Sequence, residues 1–156
     1  MDTALQRRIS VIGAGTCDAA TSEVARRLGA LLAGRGWTVV CGGLGGVMTA
    51  VCQGAREAGG RTIGILPGDD PAAANPYVDV PIVTGLGIAR NVLVVKNGEA
   101  AIAVSGGAGT LSEIGMALKI GRPVVAIGHH ATLSGVRPAA TPEEAVALTA
   151  SLLGVA

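Results

Sequence analysis

The residues of this chain best placed to do chemistry lie in Ser105-Gly106-Gly107-Ala108-Gly109-Thr110-Leu111-Ser112-Glu113. An apolar run, Ala100 to Val104, leads into the glycines, and a helical pattern leads out through Lys119. A helix beginning there offers backbone N–H groups that have no intrahelical acceptor, and it adds the positive end of its dipole, so an anion is held by both. Ser105, Gly106, Gly107, Gly109 and Thr110 are therefore expected to bind phosphate. Glycine lets the backbone come close to the ligand, and Thr110 contributes a hydroxyl. Glu113, one helical turn further on, is an odd carboxylate for a site that binds phosphate alone.

Two more strand-to-helix junctions are rich in glycine. Gly42, Gly43, Gly45 and Gly46 follow a strand ending at Cys41 and are expected to line the other side of the same site. Gly13-Ala14-Gly15 follows the first strand, but Asp18 stands where a dinucleotide-binding turn needs its third glycine, so NAD binding in the usual mode is not expected. Gly13 is either a ligand contact or the small residue of a tight turn.

The elements that must position these groups alternate. Strands are expected at Arg8–Gly13, Trp37–Cys41, Arg61–Leu66, Val78–Val83, Ala100–Val104 and Arg122–Ile127, with a short edge strand between His129 and Ala140. The helices between them run from a cap at Thr21 or Ser22 to Gly34, from Val47 to Ala58, over Gly87–Asn97, and from Thr110 to Lys119, burying Leu111, Ile114, Gly115, Ala117 and Leu118. Thr141-Pro142-Glu143-Glu144 reads as a capping box opening a last helix to Leu153. This alternation predicts an α/β, Rossmann-like, three-layer, doubly wound and mainly parallel sheet, as one domain over residues 1–156. Ligands in such sheets bind at the carboxyl ends of the strands, and all three glycine junctions open there.

Composition narrows the ligand. The chain has 156 residues, a net charge of +1, one Trp, one Tyr and no Phe, so its core is aliphatic and it lacks the basic, aromatic surface of a nucleic-acid groove. No nucleic-acid partner is expected. Cys17, Cys41 and Cys52 form no metal-binding or disulfide pattern and read as reduced, semi-buried thiols. His129-His130 lacks a third ligand candidate and reads as a surface pair, so no metal site is expected. Every apolar run is broken well short of bilayer length, which points to a cytoplasmic protein without a membrane partner.

Gly-Gly-x-Gly-Thr-x-x-Glu at Gly106–Glu113, with Arg90 before it, resembles the signature of the family once labelled lysine decarboxylase-like, which includes the cytokinin-activating phosphoribohydrolases called Lonely Guy proteins. Gly42–Met48 and Ile63–Gly68 resemble the family's other junctions. Ala89-Arg90-Asn91 and Gly109–Glu113 resemble the subgroup that contains the molybdenum cofactor carrier proteins. The resemblance implies a homodimer or homotetramer and a small phosphorylated ligand: an AMP-like nucleotide, phosphate or molybdenum cofactor, with no cofactor required. It also implies catalytic roles for Arg90 and Glu113 in cleaving a base from a nucleoside 5'-monophosphate. A carboxylate can stabilise the cationic ribose of that reaction and orient the attacking water, while an arginine holds phosphate or ribose. Two positions depart from the hydrolases, which carry Pro where this chain has Ser105 and Lys where it has Asn91. Asn91 keeps a hydrogen bond but loses a charge. The implied readings are therefore a ligand-binding protein, a phosphoribohydrolase, or, more remotely, a binding module of the kind found in DNA processing. Without the resemblance, Glu113 reads as a carboxylate satisfying a helix dipole and Arg90 as a surface ion pair.

Overall fold

The computed structural model describes residues 6–155. Seven strands, β1 (Arg8–Gly13), β2 (Thr38–Cys41), β3 (Thr62–Leu66), β4 (Val80–Val83), β5 (Ala100–Val104), β6 (Val124–Ile127) and β7 (Arg137–Ala139), form one sheet in the order β4-β3-β2-β1-β5-β6-β7. Every pairing is parallel. Along each strand the side chains alternate faces. Ile9, Val11, Val39, Ile102 and Val104 pack under α1 (Ala19–Gly34), α2 (Val47–Glu57) and α5 (Pro142–Leu152). Ile12, Val40, Ala101 and Ala103 pack under α3 (Asn91–Lys96) and α4 (Ala108–Lys119). Burial on both faces explains why the central strands read as unbroken aliphatic runs. The expected three-layer, doubly wound Rossmann-like architecture is the one observed.

Several boundaries differ, each for a local reason. The cap of α1 is Asp18, not Thr21 or Ser22: its carboxylate accepts the Thr21 N–H at 2.7 Å, and that bond holds its pKa below the usual range. Gly87–Arg90 forms a 3-10 turn before α3, so the expected Gly87–Asn97 helix is built in two parts. At α5 the capping box is as expected at Thr141, whose hydroxyl accepts the Glu144 N–H, while the Glu144 carboxylate accepts the N–H of Ala140.

The largest revision concerns α4, which begins at Ala108. Leu111 is 47% exposed and Gly115 is also exposed, contrary to the expectation that both are buried. The buried stripe instead runs Thr110, Glu113, Ile114, Ala117. Two polar side chains thus occupy positions on the core-facing stripe, which costs stability unless they serve another purpose.

Candidate functional site

The chain reverses its direction of winding between β1 and β5, so the loops leaving these neighbouring strands diverge and leave a crevice at their carboxyl ends. The crevice is a hollow of about 260 Å³. Of the residues expected to bind phosphate, Gly13, Gly42, Asn91, Gly107, Gly109 and Thr110 line it. Arg90 and Glu113 line it as well, and Val11, Ile12, Ala14, Gly15, Met48 and Ile88 complete the wall.

Gly43, Gly45, Gly46, Ser105 and Gly106 do not line the hollow; they form its frame. A Cβ on Gly46 would stand 2.3 Å from the Ala14 carbonyl oxygen, one on Gly43 2.7 Å from Leu66, and one on Gly106 2.2 Å from the Thr110 hydroxyl. These glycines are small because protein backbone and side chains pack on them. Gly13 combines both roles, since a Cβ there would meet the Val104 carbonyl at 2.4 Å. Gly107 and Gly109, by contrast, have open space where a Cβ would point.

The start of α4 is ready for an anion. Its N-cap is Gly107, which offers no side chain to satisfy the first N–H groups, and the first intrahelical bond there runs from Leu111 to the Gly107 carbonyl. The preceding turn is held in an unusual shape. Ser105 has φ of +54°, the one non-glycine residue in the left-handed region among those described.

His130 braces this turn from behind. It is buried, and its Nε2 lies 3.0 Å from the Gly106 carbonyl oxygen; a carbonyl can only accept, so Nε2 carries the hydrogen. The expected surface pair is corrected here: His129 is exposed and His130 is not. Nothing in the sequence marked His130, because its partner is a backbone oxygen contributed by a distant loop. Replacing His130 with leucine is expected to raise hydrogen exchange at the Gly107–Thr110 amides about tenfold, with glutamine retaining most of the protection. Equal rates in all three proteins would remove His130 from the site.

Arg90 and Glu113 are both buried, which sets aside a surface ion pair for the arginine. The Arg90 guanidinium donates from Nε to the Ile65 carbonyl at 2.9 Å, from Nη2 to the Gly42 carbonyl at 3.4 Å, and from Nη1 to the Asn91 side chain. Asn91 thus orients Arg90. Burial lowers the Arg90 pKa from its usual value, and the nearby Glu113 and Cys41 oppose that shift. Burial likewise raises the Glu113 carboxyl to about 7, with Arg90 pulling the other way. Desolvation wins, so near neutral pH Glu113 is a carboxyl able both to give and to take a proton.

Beneath them Cys41 and Cys52 are fully buried, with sulfurs 3.5 Å apart, and the Cys41 sulfur accepts the Gly43 N–H. They are more deeply buried than expected; Cys17 is half-buried. Among the described residues no group of three or more His, Cys, Asp or Glu could hold a metal ion.

A model of the SLOG cluster4 family matches residues 6–151. The chain belongs to that family. Similar solved structures within the fold are the molybdenum cofactor binding protein of Rippkaea orientalis, with 38% identity, a TM-score of 0.92 and coverage of 97% of this chain and 99% of that one, and the molybdenum cofactor carrier protein of Chlamydomonas reinhardtii, with 37% identity, a TM-score of 0.87 and coverage of 96% and 99%. A cytokinin riboside 5'-monophosphate phosphoribohydrolase of Mycobacterium tuberculosis is 41% identical over 96 residues, which is 59% of this chain and 51% of that enzyme. The SLOG chain therefore resembles these two molybdenum cofactor protein structures along its whole length and matches about half of the hydrolase. No helix among the described residues is long and apolar enough to cross a membrane.

Proposed function

We propose that this SLOG chain binds a small phosphorylated ligand, a nucleotide or a pterin phosphate of the molybdenum cofactor kind, at the carboxyl edge of its sheet in the cytoplasm. The observation that carries this reading is the uncapped start of α4, with Gly107 and Gly109 open, facing the same hollow as the buried Arg90. The phosphate takes the free N–H groups and the helix dipole, and Thr110 adds its hydroxyl. The hollow, at about 260 Å³, is smaller than the 300–1,000 Å³ typical of sites that enclose a whole ligand. It suits the phosphate and sugar, leaving the base or pterin at the mouth beside the exposed Ile88. Full-length similarity to the two molybdenum cofactor proteins supports binding without turnover.

Calorimetry with inorganic phosphate, AMP and a pterin phosphate tests the reading. Saturable binding of AMP or the pterin phosphate, competed by inorganic phosphate, is expected; no heat from any of the three would end it.

A second reading, hydrolysis of a nucleoside 5'-monophosphate to free base and ribose 5-phosphate, is favoured by one observation: the Glu113 carboxyl, raised to about 7, sits beside Arg90 in the hollow. The chain is read as one domain and as a homodimer or homotetramer. The half-exposed Ile82, Leu86 and Leu111 and the exposed Ile88 supply apolar surface for assembly, and light scattering reads the subunit number.

A further inference from the structure

We propose that the chain carries a second binding site, at the opposite, amino edge of the sheet, for a small organic anion in which a phosphate or carboxylate group is joined to an apolar body. A cavity of about 610 Å³ lies there, over the first residues of β1, β2 and β3. Register places its polar groups. Arg8 pairs with Thr38, and Val39 pairs with Thr62, so Arg61 lies beside Thr38 on the far side of β2. Residues level with each other in a parallel sheet point to the same face, and two strand spacings put the Arg8 and Arg61 Cα atoms about 10 Å apart. Two guanidinium groups thus flank a threonine across three strands.

Thr38 is 5% exposed, yet its hydroxyl has no hydrogen-bond partner among the described residues, and it lines the cavity. Among the described residues the one fully buried polar side-chain atom without a partner is Arg122 Nε, so the Thr38 hydroxyl opens onto the cavity, where it is free to bond a ligand. Arg8 and Arg61 likewise have no ion pair among the described residues. The carboxylate in the cavity wall, Asp79, is already neutralised: it is paired with Arg56 and accepts the Thr62 N–H at 2.9 Å. The field in the cavity is therefore positive. Lys96 and Arg122 stand nearby on the same edge, but Lys96 closes α3 and complements its dipole, a role that Arg8 and Arg61, at strand starts, do not have.

The floor sets the rest of the ligand. Ile63 follows Arg61 on the same face, and its register partner Val80 is half exposed. An oxyanion between the two arginines and the Thr38 hydroxyl leaves its apolar portion lying on Ile63 and Val80. This site shares no residue with the glycine-lined hollow and does not depend on what that hollow binds.

The test is an NMR titration of the full-length ¹⁵N-labelled protein with phenyl phosphate and, separately, benzoate, following the Thr38, Arg61 and Thr62 amides. Saturable shifts with at least one probe are expected. The Arg8→Gln/Arg61→Gln double variant is expected to weaken them at least about tenfold, because charge-assisted bonds to the oxyanion are lost. Thr38→Val, which keeps the shape and removes the hydroxyl, weakens binding while leaving the spectrum otherwise unchanged. Response to one probe alone identifies the head group. Absence of saturable shifts with both probes, or shifts unaltered in the double variant and in Thr38→Val, overturns the site. Shifts at Gly107–Thr110 report the other hollow separately.

Discussion

On the hydrolase reading, Glu113→Gln is expected to cut base release from a nucleoside 5'-monophosphate by about 10²- to 10⁴-fold, the usual contribution of a general acid or base, and on either reading it is expected to make the fold more stable at pH 8. Both effects come from the same burial. In the folded chain the carboxyl titrates at about 7, against 4.5 for the ordinary group. Between these values the native state holds a proton that the unfolded chain has released, so stability falls as pH rises through this window and is lowest above it. The shift corresponds to an upper bound of about 3 kcal/mol at pH 8. Glutamine has no charge to desolvate and removes this pH dependence. Chemical denaturation at pH 5 and pH 8 reads the slope, which should be present in the parent and absent in the variant. A steep slope retained in Glu113→Gln would place the titrating group elsewhere. The variant also separates the two functional readings. A carrier shows no turnover in either form, and its affinity for phosphate monoesters holds or rises when the negative charge is removed. A hydrolase loses turnover and keeps its ligand.

The gross plan was legible because it rests on patterns that no tertiary contact overrides. Aliphatic strands alternating with helical periods dictate a parallel sheet, and parallel strands force every strand-to-helix junction to one edge. The helix start at Gly107, Arg90 and Glu113 meet in one hollow for that reason. What was hidden depends on partners distant in sequence. His130 looked like a surface residue because the oxygen it holds lies on the next loop. Asn91 lines the hollow as a ligand contact would, and its further tie, accepting from Arg90, depends on a side chain whose position the sequence does not give. The glycine run after β2 looked like a uniform ligand surface, but only Gly42 reaches the hollow; the others are small because Ala14, Gly15 and Leu66 press on them. Composition alone cannot tell a glycine that admits a ligand from one that admits another part of the chain. The misplaced face of α4 has a similar origin: periodicity assigned Leu111 to the core, whereas Thr110 and Glu113 turn inward toward the hollow.

Helical glycines carry the same ambiguity, and the largest expected effect on stability follows from it. Glycine inside a helix costs about 1 kcal/mol relative to alanine, so its presence asks for a reason. On α2 the reason is α1. A Cβ on Gly54 would lie 1.8 Å from the Arg26 carbonyl oxygen, and one on Gly29 would lie 2.0 Å from the Val51 carbonyl oxygen. Each glycine thus receives the backbone of the opposite helix, and neither obstacle is a side chain that could rotate away. Gly54→Ala must push α1 and α2 apart along a contact that buries Leu28, Leu32, Val51 and Ala55. The separation costs more than alanine's helical preference returns, for a net loss of about 2–3 kcal/mol, or a fall in Tm of about 5–10 °C. Because Met48, in the first turn of α2, stands in the wall of the hollow, ligand affinity should fall as well. Gly115→Ala on α4 is the matched control: nothing lies within 4 Å of its Cβ position, so there the same substitution should stabilise by about 0.5–1 kcal/mol. Thermal melts of the two variants side by side should move in opposite directions. If both rise, α1 and α2 do not meet through their glycines, and the placement of α2 over β1 and β2, on which the second wall of the hollow rests, is incorrect.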